Sequence, residues 1–294
     1  MTFELIHNLD DPRLRPFHNV KRVPPSLETG RFIAEGPIVA ERVFRSGVPV
    51  ESVLISERKL SSFADRIPAH LTTYQLPHRL AQELTGFSFH CGVLVRAHRP
   101  VPPVLDEVIP ATGPALMLTG ERISDPENVG ALIRIGAAFG ANALVFGPGT
   151  ADPFSRRVVR VSMGNGLFTP IVESRDLDDT LTELRDKHEF TIYGTLPDGP
   201  IQPLETTRFS PRSVIILGHE FDGISHRTMS QVTASVGIPM SKGTDSINVA
   251  VAAGIFAYTW RSQNSSATSS ASPSAEAEPE AAQSQRSGEQ GVHK

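Results

Sequence analysis

The sequence predicts an α/β protein whose larger, C-terminal part is built around a mostly parallel sheet with helices on both faces. Short apolar runs alternate there with stretches of helical length, a pattern typical of strands that are buried on both faces of a parallel sheet. The runs are ALMLT, ALVFG, FTPIV, FTIYGTL, SVIILG and SVGIPM. Because such sheets bind ligands beyond the carboxyl ends of their strands, we expect the functional residues at those ends.

A small α/β domain is predicted ahead of the parallel sheet. The segments SVLIS and GVLVRA have the pattern of strands, and an apolar stripe near helical spacing precedes them. The stripe consists of Ile38, Val39, Val43 and Phe44. Prolines concentrated in residues 97–114 indicate a stiff linker between the two parts. We therefore assign the small domain to residues 1–108 and the larger domain to residues 109–261.

The C-terminal segment has a different composition from the rest of the chain. Residues 262–294 are rich in Ser, Ala, Glu and Gln and contain almost no large apolar side chain. Such a segment cannot bury enough apolar surface to offset the entropy that folding removes. The sequence predicts that this tail is disordered.

Whole-chain composition limits the class of protein. Apolar residues make up 39% and charged residues 20% of the chain, as in globular proteins. No apolar run reaches the ~20 residues of a membrane span, and the polar start MTFELIHNLDDP lacks a signal-peptide core, so we expect a cytoplasmic protein. Cys91 is the only cysteine, which excludes an internal disulfide and a thiolate metal cluster and indicates a small buried hydrophobe.

Charge is unevenly distributed along the chain. The net charge is −4, but residues 1–100 carry 13 Lys and Arg against 10 Asp and Glu. This mild positive bias permits contact with RNA, although an ordinary solvated surface has the same composition. The cluster Arg156, Arg157 and Arg160 leaves the same two alternatives open, namely contact with RNA phosphate or a helix face in solvent.

The first unusual strand end is followed by NVGALIRIGAAFGA, an apolar helix. Asn128 can cap this helix, and Gly130 permits close approach of another backbone. Arg134 is permanently charged and lies one turn after Gly130, so it needs either a carboxylate partner at a domain edge or an open cleft.

Two further strand ends carry candidate functional residues. The segment VIILGHEFDGIS places Gly218, Glu220 and Gly223 directly after a strand. The second segment is IPMSKGTDSINVAVAAG, residues 238–254. It has Lys, Thr, Asp, Ser and Asn close together before a helix of small residues. Neither segment contains the dinucleotide fingerprint G-x-G-x-x-G or the phosphate loop G-x-x-x-x-G-K-[ST]. This absence argues against a nucleotide-dependent dehydrogenase.

The three strand ends, taken in order, resemble a known family. The motifs N-V-G-x-x-x-R, I-L-G-x-E-x-x-G-I and I-P-M-x-x-x-x-D-S-I-N-V-A-V-A-A-G are similar to the signature motifs of the SpoU/TrmH-type RNA ribose 2′-O-methyltransferases of the SPOUT superfamily. The resemblance spans residues 115–260. The preceding segment GRFIAEGPIVAERVFRSGVPVESVLIS is similar to the small substrate-binding domain that often comes before the catalytic domain in this family.

This resemblance implies a fold and a cofactor. Family members thread the C-terminal part of the catalytic domain through a loop, which makes a deep trefoil knot, and S-adenosylmethionine is held in the knot by the backbone of three loops. Transferred by motif position, the cofactor-binding residues are Thr195, Leu217, Gly218, Ile238, Met240 and Ile247. The chemistry requires no metal.

The resemblance also assigns a catalytic set. Arg134 matches the arginine proposed to activate the 2′-hydroxyl. Because the pKa of an arginine lies above ~12, we expect it to stabilise the developing alkoxide rather than to accept a proton. Glu220, Ser246 and Asn248 match residues that hold this arginine, the ribose or the adjoining phosphate, and Asn128 is expected to shape the pocket.

Partners and alternatives follow from the same resemblance. The expected partner is structured RNA, with ribosomal RNA favoured over transfer RNA, and two subunits are expected to pack through the knot region as a homodimer. The alternative is an RNA-binding or ribosome-assembly factor that retains the knotted fold with weak catalysis. Phe221 replaces the usual glycine after Glu220 and is expected to narrow the pocket, to stack on a base, or to pack against the knot. Ile224 and Ile247 replace leucines with little change of volume.

Overall fold

The computed structural model describes residues 3–18, 20, 26–86, 89–199, 201–244 and 246–264. Their strands form two separate sheets, one of five strands and one of seven. Within these ranges, no helix combines the length and the apolar character that crossing a bilayer requires.

The N-terminal sheet is mixed. Its strands are β1 (Phe3–Leu5), β2 (Arg31–Glu35), β3 (Val50–Ser56), β4 (Thr73–Leu76) and β5 (Val93–His98). Its helices are α1 (Ser26–Thr29), α2 (Pro37–Ser46), α3 (Glu57–Phe63) and α4 (His78–Thr85), with 3-10 turns at Pro12–Phe17 and Ala64–Arg66. The strand order is β1-β4-β3-β5-β2, and β5 is antiparallel to both β3 and β2.

All pairs of the C-terminal sheet are parallel. Its strands are β6 (Ala115–Gly120), β7 (Ala143–Phe146), β8 (Ile171–Glu173), β9 (Thr191–Thr195), β10 (Gln202–Pro203), β11 (Arg212–Leu217) and β12 (Ala234–Gly237). Its helices are α5 (Leu105–Val108), α6 (Pro126–Phe139), α7 (Arg156–Val161), α8 (Leu177–Asp186), α9 (His226–Met229) and α10 (Val249–Asn264), with a 3-10 turn at Asn165–Leu167. The predicted α/β class with a parallel sheet is confirmed.

The order β10-β12-β9-β11-β6-β7-β8 contains a point where the chain reverses direction across the sheet. After β6 the chain continues to β7 on one side, whereas after its hydrogen-bonded neighbour β11 it continues to β12 on the other side. The loops that leave these two strands therefore diverge and open a crevice at the carboxyl edge. Ligands of open α/β sheets bind at such switch points.

Alternating burial along the central strands explains why helices cover both faces of this sheet. Every residue of β6 is buried. Leu116 and Leu118 pack in a core with α6 and α10, while Met117 packs on the opposite face with α5 and α8. Each such leucine contributes about 1.5–3 kcal/mol through removal from water. The continuous apolar runs of the sequence are thus strands with two buried faces.

Charged side chains join the two sheets. Glu35, at the end of β2, pairs with Arg156 and Arg160 of α7, and its side chain is only 4% exposed. Arg99 pairs with Glu173 at the end of β8. Arg156 therefore neither faces solvent nor is free for RNA phosphate, the two alternatives for the arginine cluster, because it connects the two sheets.

The structure corrects several boundaries. The predicted linker 97–114 includes the end of β5 and helix α5, and Leu105 packs in the core of the second sheet rather than lying in a spacer. Helix α10 extends to Asn264, three residues into the predicted tail, because the Gln263 side chain bonds to the backbone of the 207–209 segment. Residues 265–294, the rest of the predicted tail, lie outside the described residues.

Strand β2 was not predicted. Residues 31–35 precede the stripe of helical spacing and pair with β5. Strands β1, β4 and β10 were not predicted. Each has two to four residues, too few to give a periodic signal.

Candidate active site

Two loops at the switch point are connected by polar contacts. The Ser225 N–H donates to Glu121 Oε2 at 3.0 Å, which ties the loop after β11 to the loop after β6. Arg122 Nη1 lies 3.5 Å from Asp222 Oδ2, a second contact between the same loops. Sequence reasoning missed these residues, although Glu121 and Arg122 directly follow the apolar strand β6 and their charge was a visible signal.

A chain of three side chains crosses the carboxyl edge. Asn248 Nδ2 donates to Asn128 Oδ1 at 3.0 Å, and Asn128 Nδ2 donates to Glu220 Oε1 at 2.8 Å. The three residues come from the start of α10, the first turn of α6 and the loop after β11. The structure therefore joins three of the predicted catalytic residues into one hydrogen-bonded unit, which we call the Asn248–Asn128–Glu220 chain.

Helix capping orders the starts of the two helices that contribute to this chain. Asp125, not Asn128, caps α6, because its carboxylate accepts from the Glu127 N–H at 2.9 Å. The predicted capping role of Asn128 is wrong, and its buried amide is instead available to Glu220. Asn248 Oδ1 accepts from the N–H of Ala250 at 2.9 Å, which caps α10.

Arg134 lies apart from this chain. It is exposed on α6, and among the described residues its guanidinium makes no hydrogen bond or ion pair. A carboxylate partner at a domain edge is therefore not found in the described part of the chain. Gly130, one turn earlier, allows α7 to pack closely, since a Cβ there would lie 2.6 Å from Val161 Cβ. Ser246 is exposed in the loop before α10.

The predicted cofactor-binding residues follow three neighbouring strands, β12, β9 and β11. Thr195 ends β9, and its hydroxyl donates to the Ile216 carbonyl at 2.8 Å. Leu217 ends β11 and is buried. Ile238, Met240 and Ile247 are half-buried in the loop between β12 and α10.

Gly218 shows how tightly this edge is packed. A Cβ at this position would lie 2.3 Å from the carbonyl carbon of Gly223, so the backbone approach excludes any larger residue. The loop after β11 thus turns back toward the end of its own strand, while the loop between β12 and α10 carries the half-buried Ile238, Met240 and Ile247. Backbone donors and acceptors next to apolar surface suit a ligand that has both an aromatic ring and polar edges.

Two other clusters of chemically active groups have local explanations. The ligand atoms of Asp106, Glu183 and His188 lie within 4.8 Å of one another, but the Lys187 ammonium pairs with both carboxylates at the opposite, amino edge of the sheet. Burial and the neighbouring Glu35 carboxylate raise the pKa of Cys91 to about 11, which leaves little thiolate at neutral pH.

Comparison with known proteins agrees with this geometry. Residues 115–258 match the SpoU rRNA methylase family. An uncharacterised tRNA/rRNA methyltransferase of Mycobacterium tuberculosis is 32% identical over 257 residues, which cover 85% of this chain and 88% of the relative. The 23S rRNA (guanosine(2553)-2′-O)-methyltransferase RlmP of Bacillus subtilis is 28% identical over 87% of this chain and 98% of its own length.

A similar fold occurs in a crystal structure of an AdoMet-bound rRNA methyltransferase from Sinorhizobium meliloti. The TM-score is 0.75, with 22% identity over 88% of this chain and 98% of the other. At this identity the likeness concerns the fold, and it supports the SPOUT class predicted from the motifs.

The chain belongs to the SpoU rRNA methylase family. The predicted family, the RNA methyltransferase class and the methyl donor S-adenosylmethionine are confirmed. The close backbone approach at Gly218 and the apolar side chains of the three loops fit this donor. The trefoil knot and the roles of individual residues stay predictions.

Proposed function

We propose that this protein transfers the methyl group of S-adenosylmethionine to the ribose 2′-hydroxyl of a nucleotide in structured RNA, with ribosomal RNA as the favoured substrate. The Asn248–Asn128–Glu220 chain carries the proposal, because it fixes polar groups at the edge where the three cofactor loops converge. The names of curated relatives as 23S rRNA 2′-O-methyltransferases favour ribosomal RNA.

The reaction asks mainly for positioning. The bound donor supplies an electrophilic methyl group on its sulfonium. With the donor bound, the 2′-oxygen would attack this carbon in line, the carbon–sulfur bond would break to release S-adenosylhomocysteine, and the hydroxyl proton would pass to solvent. Holding the two reactants at near-attack distance and stabilising the charge that develops on the oxygen provide most of the acceleration.

Each residue of the site has a distinct task in this proposal. Arg134 has no protein partner among the described residues, so its cation is available to the developing alkoxide and to the adjoining phosphate. Asn128 holds Glu220 and Asn248 in fixed orientations through its amide. Glu220 and Ser246 orient the ribose, and the capping of α10 by Asn248 fixes the loop that carries Met240 and Ile247.

A homodimer completes this site. Val251, Ile255 and Tyr258 are exposed on one face of α10 at helical spacing, and α10 packs beside α6, which carries Arg134. A contiguous apolar face of this kind favours a second copy of the chain as its cover. Arg134 lies apart from the Asn248–Asn128–Glu220 chain of its own subunit, and packing through this face brings it toward the partner's site.

The alternative is an RNA-binding or ribosome-assembly factor with weak catalysis. The hydrogen-bonded Asn248–Asn128–Glu220 chain favours the enzyme, as does Arg134, which has no partner among the described residues, since a binding factor needs no such arrangement. The cytoplasm is the compartment in which we expect the enzyme to meet ribosomal RNA.

The test is methyl transfer from labelled S-adenosylmethionine to ribosomal RNA from a strain that lacks this gene, followed by mapping of the ribose-methylated position. We expect label at a 2′-oxygen with the wild-type protein and its loss with Arg134→Ala. Arg185→Ala, which removes an arginine from α8, is the matched control and should keep full activity. Donor and RNA binding without label would favour the assembly factor.

A further inference from the structure

Phe221 is the most exposed aromatic ring among the described residues. It is 94% exposed, whereas Phe168 is 54% exposed and most other phenylalanines are buried. It occupies the place where the family motif usually has glycine, directly after Glu220 of the Asn248–Asn128–Glu220 chain. The expectation that Phe221 packs against its own subunit is therefore wrong for the described residues.

The turn that carries Phe221 is fixed from several sides. The His219 N–H donates to the Gly223 carbonyl at 3.0 Å, and the Gly223 N–H donates back to the His219 carbonyl at 2.9 Å. The imidazole Nδ1 of His219 accepts from the N–H groups of Phe221 and Asp222 at 3.3 and 3.2 Å. Arg122 contacts Asp222 from the loop after β6. The ring is thus presented by a turn that needs little ordering on binding.

We infer that Phe221 is a stacking platform for the base of an unpaired nucleotide beside the methylated ribose. The inference rests on the proposed function and adds a determinant of substrate choice to it. Aromatic side chains beside RNA sites stack on splayed-out bases, and duplex RNA does not offer such a face. Phe221 therefore selects a loop, a bulge or a strand end over a regular helix.

The surroundings of the ring favour a base over a protein partner. Its neighbours in the turn are His219, Glu220 and Asp222, all polar, and the His219 ring lies 5.9 Å away at 53°. An exposed phenyl ring among polar side chains matches a base, which has an apolar face and polar edges. The exposed side chains of α10 are different, because Val251, Ile255 and Tyr258 form an apolar stripe suited to a second copy.

Steady-state methyl transfer to ribosomal RNA from the strain that lacks this gene tests the inference. We expect Phe221→Ala to raise the RNA KM about 5- to 150-fold, the equivalent of the loss of one stacked base. Saturating RNA should restore kcat to within about twofold, and donor affinity should not change. Phe221→Trp should bind RNA at least as tightly as wild type, and Phe221→Leu should behave like Phe221→Ala.

Phe168→Ala is the matched control, because it removes an exposed phenylalanine that precedes β8, at the amino edge of the sheet. It should leave the RNA KM unchanged. Wild-type KM in Phe221→Ala would overturn the inference. A wild-type RNA KM in Phe221→Leu together with a raised RNA KM in Phe221→Ala would also overturn the inference. That result would mean that any apolar side chain suffices, as in a contact with a protein such as a second copy of the chain.

Fluorescence separates this inference from the proposed function. Trp260 is the only tryptophan and is buried, so an indole introduced at position 221 is the only solvent-exposed tryptophan fluorophore. We expect ribosomal RNA to quench this emission in Phe221→Trp, with a small change in wild type. Quenching without methyl transfer would contradict the proposed function but support the stacking of a base on position 221. Methyl transfer without quenching would overturn the stacking site alone.

Discussion

The boundary between the two sheets and the carboxyl edge of the parallel sheet use charged residues in opposite ways. At the boundary, Glu35 and Arg99 are buried and each has a partner from the other sheet. In the candidate active site, Arg134 of α6 is exposed without a partner among the described residues, and Phe221 at the carboxyl edge lies in solvent. The first arrangement holds the protein together. The second leaves binding capacity for a molecule that is not part of the chain.

The cost of burying charge explains why the two regions differ. A buried carboxylate or guanidinium loses its hydration, so removal of one member of a pair leaves the other uncompensated. An exposed arginine keeps its hydration, and its removal costs the fold little. Substitutions at the boundary should therefore change stability, and substitutions at the edge should change activity or binding.

The largest effect on folding is expected from Glu35→Ala. This change removes the buried carboxylate that Arg156 and Arg160 share, and should lower the free energy of unfolding by about 3–5 kcal/mol. Urea unfolding measures it. Glu127→Ala is the control, because its pair with Arg157 is more than half exposed and should cost below about 1 kcal/mol. Equal losses of unfolding free energy in the two variants would show that the buried pair contributes no more to stability than the exposed pair.

Gly218→Ala tests the cofactor edge. The added methyl group meets backbone at 2.3 Å and should displace the loop after β11, weakening S-adenosylmethionine binding by about 1–3 kcal/mol. Calorimetric titration with the donor measures the change. Gly254→Ala, where the nearest side-chain atom lies 3.9 Å away, should bind as wild type does. Unchanged donor affinity in Gly218→Ala would show that this loop does not contact the donor.

Asn248→Ala should have a smaller effect on stability and a measurable one on turnover. It removes the cap of α10 and the link to Asn128, and should cost about 0.5–2 kcal/mol of unfolding free energy. Methyl transfer should fall because the loop that carries Met240 and Ile247 loses its fixed end. Asn248→Asp keeps the cap but replaces the donor to Asn128 with a charged acceptor, so it separates loss of the link from loss of the cap. Full turnover in Asn248→Ala would exclude the residue from the site.

The smallest effect concerns Cys91 at the domain boundary. A pKa of about 11, above the ordinary value of 9.0, means that the thiolate is scarce below that pH in the folded protein. Alkylation by iodoacetamide at pH 8 should be about tenfold or more slower than in the urea-unfolded chain, and should accelerate as the pH rises toward 11. Equal rates in the folded and unfolded chains would contradict the position of this half-buried thiol beside Glu35.

Apolar runs identified the main strands because burial on both faces leaves a continuous pattern, and the ordered motifs identified the family. The pairing of Glu35 with Arg156 could not be predicted, since the two residues are 121 positions apart and only the packing of the two sheets brings them together. The capping of α6 by Asp125 was missed because Asn128 has equal capping chemistry and lies in the motif.

The most direct test of the central claim is ribose methylation of ribosomal RNA measured with wild type, Arg134→Ala and Glu35→Ala, at a temperature where all three are folded. We predict methylation at one 2′-oxygen by wild type, a loss of about 10²–10³-fold in kcat for Arg134→Ala with unchanged unfolding, and near wild-type kcat for Glu35→Ala despite its lower stability. Full activity in Arg134→Ala would contradict the assignment of Arg134 to the catalytic site.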